Sequence, residues 1–157
     1  TGTRLLTICA AGAAYLWSLH TYTQVARLLH DPAGSPVAGA VYSRDGLRLA
    51  TYDGVGGLCV WRAQPGRLEA RFTIDAAVAQ TAFNDDATRL AAVGVPVSVP
   101  VSIPFSAPIS IPVSGGAVRI WDLARGGREL LKVERTGGVF GLADVEKTTV
   151  VLASGQD

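Results

Sequence analysis

Short apolar runs alternate with polar turns along the chain, and this pattern predicts a succession of β-strands. Residues 40–50 and 81–91 show one order twice: an apolar strand end, a polar turn containing Asp, and then Arg-Leu-Ala opening the next strand. Asp, Asn and Gly tolerate the backbone angles of a tight hairpin. Residues 58–61 (Leu-Cys-Val-Trp) are apolar at every position, as in strands covered on both faces. The pattern predicts an all-β protein.

Strands of four kinds, named a to d here, follow one another in a repeated order. We place strand a at residues 37–43 and 78–84, strand b at 49–52 and 90–93, strand c at 14–19, 58–62 and 117–123, and strand d at 24–30, 68–74 and 129–135. The turns between strands a and b suit tight hairpins, so we expect these two strands to pair.

Each predicted strand c contains one tryptophan. Trp17, Trp61 and Trp121 are separated by 44 and 60 residues, and the second interval holds a 20-residue tandem repeat without which it shortens to 40. A period of about 40 to 45 residues is typical of propeller blades. It divides the chain into units at about residues 1–36, 37–77, 78–136 and 137–157.

Residues 117–123 read Ala-Val-Arg-Ile-Trp-Asp-Leu, and Trp121-Asp122 is the only Trp-Asp pair in the chain. With the flanking turns, these units resemble WD40 repeats over nearly the whole chain outside residues 95–114. The resemblance implies an all-β fold of WD40-type β-propeller blades, each a four-stranded antiparallel sheet. Closed propellers have typically about 4 to 8 blades. We therefore expect an incomplete propeller that is part of a longer chain, rather than one completed by a second chain or a designed fragment.

The WD40 resemblance also implies a hydrogen-bonded set of His, Ser or Thr, Asp and Trp within a blade. Its candidates are His30, Thr51, Asp53 and Trp61, at spacings longer than the family norm. Ala11 stands where the first unit should have its Asp, and the third unit has no candidate. We take these four residues, with Trp17, Trp121 and Asp122, as structural residues of the blades. We expect the blades to rely mainly on packing.

Residues 95–114 form five tetrads of the pattern x-Pro-x-Ser. Proline fixes its own φ and biases the preceding residue towards extended conformations, so the segment should be extended. We interpret it as a low-complexity insertion in a b–c loop that forms a flexible loop. It is either a repeat expansion that a surface loop tolerates or a proline-rich strip that docks on a partner or on its own domain.

The resemblance assigns the d–a and b–c loops to one face, called the top face, which often binds partners. The candidate partner-binding residues on that face are Asp31, Tyr52, Asp75, Pro96, Phe105 and Pro108. We expect the binding partners to be other proteins.

Composition excludes several classes of function. The 14 basic and 13 acidic residues leave a net charge of +1, too neutral for a nucleic-acid binder. Residues 90–118 are uncharged and long enough to span a bilayer, but their five prolines exclude a membrane helix. Cys9 and Cys59 belong to no metal-binding pattern, so we expect buried free thiols and a reducing compartment.

Catalytic motifs are missing from the sequence. His20 and His30 are the only histidines and accompany no nucleophile motif, and Asp85-Asp86 is explained by a hairpin turn. We expect a non-enzymatic protein-interaction scaffold, without cofactor, metal or small-molecule ligand. Its setting would be a larger assembly in the cytoplasm, cytoskeletal or ciliary. The alternative is a regulatory or sensor propeller domain of a multidomain enzyme whose catalytic part lies outside this chain.

Overall fold

The computed structural model describes residues 3–95, 111–113, 116–135 and 138–140, and every regular element in these ranges is a β-strand. The strands are β1 Arg4–Cys9, β2 Ala13–Ser18, β3 Thr23–Leu29, β4 Val37–Tyr42, β5 Arg48–Asp53, β6 Gly57–Arg62, β7 Arg67–Thr73, β8 Ala77–Phe83, β9 Arg89–Val95, β10 Ile111–Val113, β11 Gly116–Asp122, β12 Arg128–Arg135 and β13 Gly138–Phe140. The predicted all-β fold is confirmed.

Three antiparallel sheets make up most of the described structure. The first sheet contains β1, β2 and β3, and the second contains β4 to β7 in chain order. The third contains β8, β9, β11 and β12, while β10 pairs separately with β13. Strands follow the predicted order a, b, c, d, and their ends lie within two residues of those inferred from the sequence. The four-stranded antiparallel sheets are therefore as predicted.

The second sheet has a neighbouring sheet on each of its two faces. Successive residues of a strand point to opposite sides, so each of its strands can contribute to two apolar clusters. One cluster joins it to the first sheet and contains Ala14, Leu28, Leu49, Cys59 and Trp61. Another joins it to the third sheet and contains Ala50, Leu58, Val60, Phe83, Leu90 and Trp121. Trp121 stacks on Phe72 with ring centroids 4.7 Å apart. The continuous apolar runs of the sequence are therefore explained by packing between neighbouring sheets.

All three sheets carry the same irregularity. The register between strands c and d shifts beside the tryptophan, at Leu16/Trp17, Val60/Trp61 and Ile120/Trp121. Each shift is a β-bulge that leaves one extra residue on strand d: Val25, Glu69 or Leu130. Because the bulge recurs at one place, residues of the three sheets can be compared position by position.

The Pro-Ser tetrads lie mostly outside the described residues, and so do Pro96, Phe105 and Pro108. Val95 ends β9, and Ile111–Val113 forms β10, where Pro112 lies opposite Val139 of β13. The flexible loop over residues 95–114 stays a prediction.

Candidate protein-interaction face

One chain of buried hydrogen bonds joins four of the residues singled out in the sequence. His30 follows β3, while Thr51 and Asp53 lie in β5 and Trp61 lies in β6. The Nδ1 atom of His30 lies 2.7 Å from Thr51 Oγ1, and its Nε2 atom lies 3.1 Å from Asp53 Oδ2. Trp61 Nε1 donates to Thr51 Oγ1 at 2.9 Å. All four side chains are buried.

Geometry assigns a direction to these hydrogen bonds. Thr51 Oγ1 accepts from the indole N–H of Trp61, so its own hydroxyl proton is available for Nδ1 of His30. Nε2 of the same imidazole then carries the proton and donates to the Asp53 carboxylate. Asp53 Oδ1 accepts two further hydrogen bonds, from the backbone N–H groups of Val55 at 2.9 Å and Gly57 at 2.7 Å. Each polar side-chain atom of the network therefore has a partner.

The network ties two connections together at one end of the sheets. His30 belongs to the d–a connection after β3. Asp53 is the last residue of β5, where the b–c turn to β6 begins. The backbone repeats this arrangement, since His30 N–H donates to Gly12 O at 2.9 Å and Ile74 N–H donates to Gly56 O at 2.9 Å. The d–a connections and the b–c turns therefore meet at the same end, which we call the top end.

The two cysteines differ in their surroundings. Cys59 is buried beside the network, with its Sγ atom 3.6 Å from His30 O, and burial raises the pKa of its thiol to about 11. A thiol with so high a pKa stays protonated and is a poor nucleophile. Cys9 is also free but only partly buried, so the expectation that both thiols are buried is wrong for Cys9.

Two of the candidate partner-binding residues are acidic side chains in d–a connections. Asp31 accepts hydrogen bonds from the backbone N–H groups of Ala33 at 2.9 Å and Ser35 at 3.0 Å. Hydrogen bonds from Ser35 lower the pKa of Asp31 most, and the one from Ala33 lowers it further. The resulting pKa is about 2, so Asp31 stays charged at neutral pH. The Asp75 side chain is 91% exposed, and its Oδ2 lies 3.3 Å from Arg119 Nη2.

Tyr52 is less available than these carboxylates. It is half-buried in β5 and packs against the core between the second and third sheets. Burial raises the pKa of its phenol. The three described candidates thus lie at or near the top end, but no contact joins them into one pocket.

Other candidate residues have ordinary structural partners. Asp86 accepts hydrogen bonds from Asn84 Nδ2 at 2.6 Å and Thr88 N–H at 3.0 Å within a turn, and His20 is exposed. Asp122 accepts from Arg125 N–H at 3.2 Å. In the described ranges, no group of three His, Cys, Asp or Glu side chains is placed to hold a metal ion. Within the same ranges no helix is long and apolar enough to cross a membrane.

No protein-family model matches the chain, and no curated protein matches it. A structure of Kuenenia stuttgartiensis hydrazine synthase is similar over 86% of this chain and 35% of that one, with a TM-score of 0.64 at 14% identity. The WD40 repeats of RRP9 are similar over 83% of this chain and 35% of theirs, with a TM-score of 0.60 at 18% identity. The fold is that of WD40-type β-propeller blades. The chain spans about a third of the length of either neighbour.

The three blades differ in how much of the network they carry. Trp17 Nε1 donates to Thr7 Oγ1 at 3.0 Å in the first blade, where Thr7 is exposed. In the third blade, register places Ala92 where the second has Thr51. Among the described residues, the full set of four is therefore found in the second blade alone.

A second polar cluster lies near the opposite end of the second blade, and sequence reasoning missed it. Glu69 Oε2 accepts from Arg48 Nε at 2.7 Å, while its Oε1 accepts from Arg62 Nε at 2.9 Å and Nη2 at 2.7 Å. Burial alone would raise the pKa of Glu69, but its hydrogen bonds and charge interactions with the two arginines outweigh this and lower the pKa. Sequence showed only a charged strand, because the bulge that leaves Glu69 unpaired is a feature of the β6–β7 register.

Glu69→Gln should lower the free energy of unfolding by about 1 kcal/mol at neutral pH, because both arginines lose their carboxylate partner. A carboxyl with a lowered folded pKa stabilises the fold above its unfolded pKa, and this contribution is lost as pH falls through the folded pKa. The difference between wild type and variant should therefore be full near neutral pH and disappear in acid. Urea unfolding at a series of pH values measures it.

Asp85→Asn is the matched control. It breaks the pair between Arg44 and Asp85, whose side chains are 71% and 48% exposed, and should change stability by at most about 0.3 kcal/mol. A difference for Glu69→Gln that is no larger than this, or that grows in acid, would contradict the explanation.

Proposed function

We propose that the chain is a non-enzymatic interaction module whose top end binds another protein, within a larger assembly. The observation that supports this is the fixed geometry of that end. A buried network and two backbone hydrogen bonds tie the d–a connections to the b–c turns, and these connections present charged side chains to solvent. A rigid scaffold that positions exposed loops is the usual arrangement of a binding surface.

Asp31 and Asp75 give the proposed surface its chemistry. Both are acidic, and Asp31 is preorganised by its turn. Charges at the edge of an interface mainly set partner choice and association rate. We therefore propose a partner with basic groups opposite these carboxylates. Residues 1–36, 37–77, 78–136 and 137–157 would be successive units of the propeller, and the cytoplasmic location stays a prediction.

Affinity capture with the protein at its natural length tests this function. Partners recovered by the wild type are compared with those recovered by the double variant Asp31→Asn, Asp75→Asn. We expect the double variant to bind its partner about tenfold more weakly, because two rim charges are removed while the amide oxygen of the asparagine introduced in the first turn can still accept the turn hydrogen bonds.

The control is the double variant Asp45→Asn, Asp85→Asn in the a–b turns, which are at the other end of the sheets. Asp45 also accepts hydrogen bonds within its turn, from Ser43 Oγ at 2.6 Å and Leu47 N–H at 2.9 Å. This control double variant should bind the partner as tightly as the wild type does. Equal capture by all three proteins, or a loss confined to the control, would count against the top end as the binding surface.

A further inference from the structure

Three arginines lie side by side across the second blade. Register places Arg48 of β5 opposite Arg62 of β6, and Arg62 opposite Arg67 of β7. Like charges directly opposite each other destabilise a sheet. The row therefore destabilises the sheet unless a further anion balances it, because Glu69 neutralises only one of its three positive charges.

The other blades show that the fold does not require this row. At the same register positions the first blade has Arg4, Ser18 and Thr23, and the third has Arg89, Asp122 and Arg128. At the bulge, Val25 and Leu130 take the place of Glu69. An arginine at the start of strand b is common to all three blades, whereas the second and third arginines occur together only in the second.

The arginine row lines a cavity of about 400 Å³ between the second blade and the turn that joins β11 to β12. We call this cavity the arginine groove. Its walls include Arg48, Arg62, Arg67, Leu68, Glu69 and Gly126. Three guanidinium groups and one carboxylate give these walls a net charge of +2. Leu68, which is 39% exposed, adds an apolar surface beside the charges.

Hydrogen-bond donors remain available in the groove. Glu69 takes the Nε atoms of Arg48 and Arg62 together with one Nη of Arg62, and Arg48 Nη1 donates to Ala87 O at 2.8 Å. The second Nη of Arg48, Nη1 of Arg62 and the whole Arg67 guanidinium have no partner among the described residues. Glu69 thus holds two guanidinium groups in place while leaving donors for a second anion.

The open edge of β7 completes the setting. Within the described part of the chain, β7 pairs only with β6, so its outer backbone groups are available to an extended segment. An extended segment presents alternate side chains to one side, which suits a surface of mixed apolar and cationic character.

We propose that the arginine groove binds an extended acidic segment of a protein partner, with carboxylates on Arg67 and on the free donors of Arg48 and Arg62. This rests on the proposed role as an interaction module and adds a second surface, away from the top end. Guanidinium groups recognise carboxylates through paired hydrogen bonds, and the exposed surface of Leu68 would contact an apolar side chain of the segment.

The probe is a fluorescein-labelled peptide of about ten alternating Glu and Val residues, long enough to run along a strand. Fluorescence anisotropy with the full chain measures its affinity. Arg67→Glu should weaken binding about tenfold or more, since it replaces a charge-assisted hydrogen bond by repulsion. Arg128→Glu makes the same charge change at the equivalent position of the third blade and should leave the affinity unchanged. Both side chains are exposed, so neither change threatens folding.

Several outcomes would overturn the proposal. One is an equal loss for Arg128→Glu, which would indicate attraction to overall charge. Another is equal binding of a peptide with Gln in place of Glu. Tighter binding of a single-stranded oligonucleotide that depends on Arg67 would assign the groove to nucleic acid instead. If the acidic peptide does not bind while capture still depends on Asp31 and Asp75, the groove assignment fails and the proposed function stands.

Discussion

Replacing Thr51 with valine should lower the free energy of unfolding by about 3 kcal/mol. Valine matches threonine in shape, so the packing around position 51 is kept. The change removes the acceptor of Trp61 Nε1 and the partner of His30 Nδ1, two polar groups that are buried. Each buried group left without a partner costs about 1 to 3 kcal/mol. Urea unfolding of wild type and variant measures the difference.

Thr7→Val is the matched control, because Thr7 accepts the indole N–H of Trp17 as Thr51 accepts that of Trp61. Thr7 is exposed, so water can replace its hydroxyl, and the cost should be below about 1 kcal/mol. Thr51→Ser keeps the hydroxyl and should recover part of the loss. Equal costs for Thr51→Val and Thr7→Val would mean that the buried network stabilises the fold no more than a surface hydrogen bond.

The blade architecture could be predicted from the sequence because it depends on local signals. Apolar alternation, Asp- and Gly-containing turns and the recurring tryptophan are each legible within about ten residues. The turn Arg44–Gly46 shows this directly, since Gly46 N–H donates to Ser43 O at 2.9 Å as in a tight hairpin. Packing on both faces of β6 follows from its uninterrupted apolar run.

Long-range polar contacts were harder to predict. The spacings around His30 and Asp53 suggested blades that rely mainly on packing, yet the two side chains meet at 3.1 Å. The number of residues in a connection does not determine the path that its backbone follows. The turn after Asp53 folds back on its carboxylate through the N–H groups of Val55 and Gly57, so extra residues do not carry Asp53 away.

Glu69 shows a second limit of prediction from the sequence. Strict alternation would place Glu69 on the same face as Arg67 and Arg71. Arg67 lies opposite Arg62, and Arg62 lies opposite Arg48, so Glu69 meets two arginines of other strands on that face, and the bulge leaves it without a cross-strand partner of its own. Register and bulges both depend on how two strands pair, and a single sequence does not encode this pairing visibly.

Gly56→Ala should be more damaging than its size suggests, with a loss of about 3 to 4 kcal/mol in the free energy of unfolding. Gly56 lies in the b–c turn of the second blade with φ at 105°, where residues with a Cβ are strained. A Cβ here would overlap Ile74 O and lie 2.9 Å from Ala76 O, both backbone atoms of the following d–a connection. Neither atom can move without displacing the connection.

Gly46→Ala separates the cost of backbone strain at a positive φ from the cost of steric overlap. Gly46 also has a positive φ, 69°, but a Cβ there would meet no atom within 4 Å. Its loss should be about 1 kcal/mol, from backbone strain alone. The excess for Gly56→Ala then measures how firmly the b–c turn is held against the d–a connection. Equal losses, compared by urea unfolding, would mean that residues 74–76 yield easily. In that case the top end would lack the rigidity on which its proposed role in partner binding depends.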